Sequence, residues 1–147
     1  MTIAAKARRL PVRLAAGAFI LNSGLGKWSA AEETAARVHG MASGTYPFLG
    51  RLRPADFTRL LAAGEIGLGA ALLLPVVPAA VAGAGLTAFS AGLLGLYART
   101  PGMRHESSLR PTRQGTPLAK DIWLAGIGLG LLADALTDRT PAGQRSG

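Results

Sequence analysis

The sequence predicts an all-α fold, an integral-membrane four-helix bundle with a short amphipathic helix in its first loop. Three observations carry this. From Ile66 to Ala98 no residue is charged, and that run of about 33 residues exceeds the roughly 20 that one bilayer crossing needs. The run is broken at Pro75-Val76-Val77-Pro78, where two prolines remove backbone donors and favour a turn. Charged residues are only 16% of the 147-residue chain, against about 25% in ordinary soluble domains, and mean hydropathy is +0.30.

Four apolar segments follow, at about 10–27, 55–74, 79–97 and 120–136, within a membrane domain of residues 10–137. Residues 1–9 read as a basic tail and residues 138–147 as a disordered one. The uncharged centres of the outer segments, Leu14 to Gly26 and Ile122 to Ala133, are short for a crossing. Arg13, Lys27, Lys120 and Asp121 flank them, and snorkelling of these side chains lengthens both. The basic start, apolar stretch and small residues near Ser29-Ala30-Ala31 imitate a signal peptide. Arg13, Asn22 and Lys27 interrupt that pattern and favour an uncleaved first span. No segment alternates apolar with polar residues as a barrel strand does.

In the first loop, Ser29-Ala30-Ala31-Glu32 fits a capping box with Ser29 as N-cap. The helix it opens presents Ala35, Val38 and Ala42 on one face, ends at Ser43-Gly44, and is expected to lie on the membrane surface. Pro54 suits the first turn of the second span, with Asp56 placed well against its dipole. The loop 99–119 is basic and broken by Pro101, Pro111 and Pro117.

The net charge of +8 suits anionic lipid headgroups. Few aromatic residues accompany it, so a nucleic-acid platform is not indicated. Basic residues lie on both sides of the spans. The first helix usually sets orientation, which places both termini in the cytoplasm. With no cysteine, the chain has no disulfide, thiolate metal site or iron–sulfur cluster of its own. His39 and His105 stand alone in loops, outside any metal-ligand spacing, and read as solvated. No intrinsic cofactor or metal is expected.

Glu65 is the acid deep inside a span. A carboxylate at bilayer depth must face the bundle interior, a cavity or a partner. It reads in two ways. It is a functional group, serving as proton relay, ion site, or hydrogen-bond partner for a headgroup or quinone. Alternatively, it is a neutral acid that fixes packing. Gly64, Gly67 and Gly69 flank it and let a neighbouring helix approach. The other ligand-binding candidates are Asn22, Lys27, Ser90 and Tyr97. Lys27 pairs with Glu65 if it folds back, and otherwise snorkels to the interface. Asp134 reads as a helix-end carboxylate at headgroup level. Gly126 and Gly130 form a G-x-x-x-G spacing, used either within the bundle or as a face between copies. Gly24-Leu25-Gly26 is too little for a dinucleotide motif.

Four stretches together resemble the DoxX family of small four-span bacterial membrane proteins. These are Arg13 through Gly24 to Lys27-Trp28, Gly64-Glu65 through Leu74-Pro75, Tyr97-Ala98-Arg99-Thr100-Pro101-Gly102-Met103-Arg104, and Leu118-Ala119-Lys120-Asp121-Ile122-Trp123-Leu124. The resemblance implies a multi-pass bundle in the bacterial plasma membrane. It also implies a role as accessory or quinone-interacting subunit of a membrane oxidoreductase, with the redox centre held by a partner protein. A carrier of ions or small molecules centred on Glu65, a scaffold without catalysis, and homo-oligomerisation stand beside it.

The four-span reading puts both termini on one side. Single cysteines at positions 2, 43, 112 and 146, labelled with an impermeant thiol reagent in intact cells, are expected to divide into 2 with 146 and 43 with 112. Any other grouping is incompatible with four spans.

Overall fold

The structure is a computed structural model, and it describes residues 3–139. Six helices follow one another: α1 (Ile3–Trp28), α2 (Glu32–Thr45), α3 (Pro54–Leu73), α4 (Ala79–Arg99), the single turn α5 (Thr116–Ala119) and α6 (Ile122–Thr137). A 3₁₀ turn, Pro47–Arg51, joins α2 to α3. No strand occurs among the described residues. The loop before α5 holds one isolated antiparallel bridge, Arg104 with Pro111.

The four apolar segments correspond to the four long helices; the ends fall within two residues of those expected except at the start of α1, which lies seven residues earlier. One of them, Ala79–Arg99, is long and apolar enough to cross a membrane by length and composition. α3 carries Asp56, Arg59 and Glu65 along its length, α1 carries five Lys or Arg between Lys6 and Lys27, and α6 has 16 residues.

Packing divides the helices into two pairs. α1 lies along α3 and α4 lies along α6, while contacts from pair to pair are sparser. Glycine explains the closeness within each pair. A side chain on Gly69 would meet the Leu21 backbone at 2.7 Å, and one on Gly17 would meet Leu72 and Leu73 at about 3 Å. Gly83 and Gly128 do the same for α4 and α6, each facing the other's carbonyl oxygen. These contacts are not made by the glycines nearest Glu65. Gly64 and Gly67 face open space, as do Gly126 and Gly130. The pairs meet through Ala16, Ile20, Leu72, Ala82, Leu86, Leu124 and Leu131, which form the buried apolar core.

Three local expectations are corrected. Residues 3–9 are not a tail but the first two turns of α1, carried through Pro11. They hold their place because Arg9 is buried and pairs with Asp134 and Asp138, while Arg8 also pairs with Asp134. Asp134 is therefore bound by two guanidinium groups rather than left at a helix end. Asp138 belongs to the same cluster and is held in place there, against the expectation of a disordered tail from 138. Its residues 140–147 lie outside the described residues. Second, Ser29 does not cap α2. It falls in the turn that closes α1, where the Ala30 amide donates to the Lys27 carbonyl, and Ala31 occupies the N-cap without a side-chain bond. Glu32 and Glu33 in the first turn oppose the dipole instead. Third, α2 runs through Ser43 and Gly44 and stops before Tyr46-Pro47, because a residue preceding proline is driven out of the helical region.

The break between α3 and α4 is held by Arg13. The last turn of a helix leaves its carbonyls without amide partners, and Pro75 and Pro78 supply no donors. The Arg13 guanidinium, buried, donates to the carbonyls of Ala71, Leu72, Leu74 and Val77 at 2.7–3.0 Å. Arg13→Met keeps the apolar stem and removes every donor. It is expected to lower stability by about 3 kcal/mol, the scale of charge-assisted bonds lost from buried acceptors. Arg13→Lys should recover only part, since an ammonium has three donors and no planar fork. Denaturation midpoints in detergent test this, and a wild-type midpoint for Arg13→Met would contradict the assignment.

Candidate functional site

Between the two helix pairs lies a cavity of about 460 Å³. Its walls are apolar, built from residues such as Phe19, Leu61, Phe89, Leu93 and Leu124. α2 closes one end with Val38, Met41 and Ala42. Polar groups gather on one part of the wall: Ser23 and Lys27 from α1, Glu65 from α3 and Asp121 ahead of α6.

Glu65 reaches the cavity because α3 turns Thr58, Ala62, Glu65, Gly69 and Leu72 toward its neighbours, a three- and four-residue stripe. It is 4% exposed. Lys27 approaches from the end of α1. Helical side chains lean toward the helix N-terminus, so Lys27 folds back along its own helix. Its Nζ donates to Ser23 Oγ at 2.6 Å and to both Glu65 oxygens at 3.0 and 3.1 Å. The ion pair is therefore formed. Gly24 lets it form, because a side chain there would meet Glu65 Cβ and the Ala62 carbonyl at 2.9 Å.

Sequence reasoning proposed five ligand-binding residues, and the structure brings together two of them, Lys27 and Glu65. Asn22 is exposed on the outer face of α1. Ser90 is fully buried, and its hydroxyl donates to the Leu86 carbonyl one turn back at 2.7 Å. Tyr97 reaches away from the cavity and donates to the Leu109 carbonyl at 2.6 Å, tying the α4–α5 loop to α4.

Three further cavity residues lie outside those five, Ser23 among them, although its place in the polar half of the first span makes it a plausible partner of Glu65 from sequence. Ser23 stands one turn before Lys27, a spacing visible in the sequence. Asp121 was read only as a span end. Tyr46, just past α2, sets its hydroxyl end against Gly95 and donates to the Gly92 carbonyl at 2.9 Å, fastening the end of α2 to α4. His39 lies in α2 rather than a loop. Its Nε2 donates to the Leu49 carbonyl at 2.9 Å, and its ring meets Phe57 edge-on. His105 is in a loop and exposed, as expected. Among the described residues no group of three His, Asp or Glu is arranged to hold a metal.

No protein-family model matches this chain, and no curated protein or solved structure matches it either.

The site thus offers a half-buried ammonium, a buried carboxylate and a second carboxylate on one wall of an apolar chamber. It can orient an amphiphile by its polar end. Removing one partner of a buried pair costs more than removing both. Lys27→Met is expected to destabilise by about 3 kcal/mol, and Lys27→Met with Glu65→Leu should regain most of that loss. Chemical denaturation of the single and double variants measures the coupling. Strictly additive losses would mean that the pair does not interact.

Proposed function

We propose that this chain is a multi-pass plasma-membrane protein of the DoxX type that binds a quinone between its two helix pairs, as accessory subunit of a membrane oxidoreductase. The observation that carries the reading is the Lys27–Glu65 pair on the wall of an otherwise apolar cavity. Small-ligand sites are commonly concave, mostly apolar, about 300–1,000 Å³ in volume and fitted with a few converging polar groups. A quinone ring has the matching chemistry: an apolar body with carbonyl oxygens that accept hydrogen bonds. Lys27 and Glu65 would hold the polar end of a bound ring, the ammonium shared between the carboxylate and one ring oxygen, and the quinone would supply the redox chemistry. Electrons come from a cofactor-bearing partner protein.

The membrane part of the proposal rests on the outer faces. Phe19, Leu60, Val81, Trp123 and Leu129 are each more than half exposed. They stand on all four long helices, and apolar exposure on that scale marks contact with lipid or protein. In this setting α2 lies at the membrane surface over the cavity.

The same pair also supports a second reading, in which it only fastens α1 to α3. Gly24 seats the backbone of α1 against Glu65, as a packing tie requires. One experiment separates the two. Protein purified from its native membrane in mild detergent is expected to retain quinone on solvent extraction and to bring with it a larger, cofactor-bearing protein. Glu65→Gln keeps shape and hydrogen-bonding capacity but no titratable proton, and should reduce retained quinone severalfold at temperatures well below its own thermal midpoint, which is measured alongside. Wild-type protein recovered alone and quinone-free would favour the packing tie.

A further inference from the structure

A second cavity of about 420 Å³ lies at the other side of Lys27, where the end of α1, the start of α2 and the first turns of α3 converge. Its character is opposite to that of the first. Lys27, Arg53 and Arg59 line it against the one carboxylate of Glu32, with Trp28 and Ser29 alongside. Lys27 is committed to Glu65, so the two arginines carry the excess positive charge, and both side chains are exposed, with no ion-pair partner among the described residues.

Two further features point to an anion. α3 begins here, with Arg53 at its N-cap, Pro54 in its first turn and no side-chain cap. Pro54 has no N–H and the Phe57 amide donates to the Arg53 carbonyl, so the Ala55 and Asp56 amides are the ones left without intrahelical acceptors at the positive end of the dipole, with the Asp56 carboxylate in the same turn. Thr58 lines the same cavity and is 2% exposed, yet its hydroxyl has no hydrogen-bond partner among the described residues. A buried hydroxyl is ordinarily paired, because leaving it bare forfeits its bonds to water. In most helices a threonine in this position bonds back to a carbonyl one turn earlier, as Thr87 and Thr137 do in this chain.

We propose that this cavity binds a phosphate group, held by Arg53 and Arg59, the first amides of α3 and the Thr58 hydroxyl. Guanidinium groups match phosphate oxygens in a planar, two-bond geometry, and the hydroxyl supplies one more donor. The group is the headgroup of a phospholipid or a free phosphate, and the site is independent of what the Glu65 cavity takes.

Trp28 lines the cavity and reports on it. The full-length chain carrying Trp123→Phe, solubilised in a maltoside detergent, leaves Trp28 as the sole tryptophan. One arm titrates inorganic phosphate at constant ionic strength. The other titrates dihexanoyl phosphatidylglycerol, with dihexanoyl phosphatidylcholine as reference. A saturable change of Trp28 emission is expected in at least one arm. Saturation with phosphate alone identifies a free anion, and saturation with the glycerol lipid well ahead of the choline lipid identifies a headgroup. Arg53→Gln and Arg59→Gln should each weaken binding about tenfold or more, the scale of one charge-assisted bond. Thr58→Val should weaken it severalfold without lowering the thermal midpoint, since the hydroxyl bonds nothing in the folded chain. That midpoint distinguishes loss of a ligand from loss of fold. No saturation in either arm, equal response to sodium chloride, or wild-type affinity in the arginine or Thr58→Val proteins would overturn the proposal.

Discussion

The inward turn of the charges on α1 constrains everything else. Arg13 is buried and spends its guanidinium on four carbonyls at the end of α3. Lys27, 14 residues later and so about 21 Å along the helix, spends its ammonium on Glu65 near the middle of α3. Two bonds of this kind on one helix fix both its register and its rotation against α3. A slip of one turn along α3 would strand both cations and leave the carbonyls at the end of α3 and in the following turn without the Arg13 donors. A buried ion pair is a weak source of net stability, but this pair and the Arg13–carbonyl bonds can both be satisfied in only one register.

That register decides which glycines matter. With Arg13 opposite the end of α3, Gly17, Leu21 and Gly24 meet Leu72, Gly69 and Ala62 in turn, and the backbones come close where a side chain would not fit. The second pair repeats the device with Gly83 and Gly128. Each pair is tight within itself, and the space between them is filled by a modest apolar core and the Glu65 cavity. The cavity is the direct consequence of pairwise packing. Helices that touch at glycine leave their larger side chains, Phe19 and Phe89 among them, at the flanks, where they wall a chamber rather than fill it.

The ends of the bundle are fastened by different chemistry. Arg8 and Arg9 bind Asp134 and Asp138, joining α1 to α6. At the opposite end α2 is held through Tyr46 on α4 and through His39 on the 3₁₀ turn. Lys27 lies at the junction of two cavities of opposite polarity, the apolar one bearing Glu65 and the basic one bearing Arg53 and Arg59. One ammonium therefore separates a chamber suited to an amphiphile from a chamber suited to an anion.

Much of this architecture was legible in the residues. The charge-free run from Ile66 to Ala98 with its Pro-Val-Val-Pro break marks two helices and the turn between them, because apolar length and proline act locally. The isolation of Glu65 among apolar residues marks it as buried for the same reason. The α2 start was not legible. Ser29 has the right neighbours for a cap, but the turn that closes α1 takes it in, and α2 starts only at Glu32. Nor could sequence choose among the polar residues of the spans. Asn22, Ser90 and Tyr97 are as polar as Ser23 and Asp121, yet only rotation about each helix axis decides which face the cavity. Arg8 and Arg9 read as a tail because their partners, Asp134 and Asp138, lie some 125 residues away. Local pattern determined where helices form and which residue must be buried. The tertiary structure alone decided which charges meet, because that depends on register and rotation, which are properties of helix pairs rather than of any one helix.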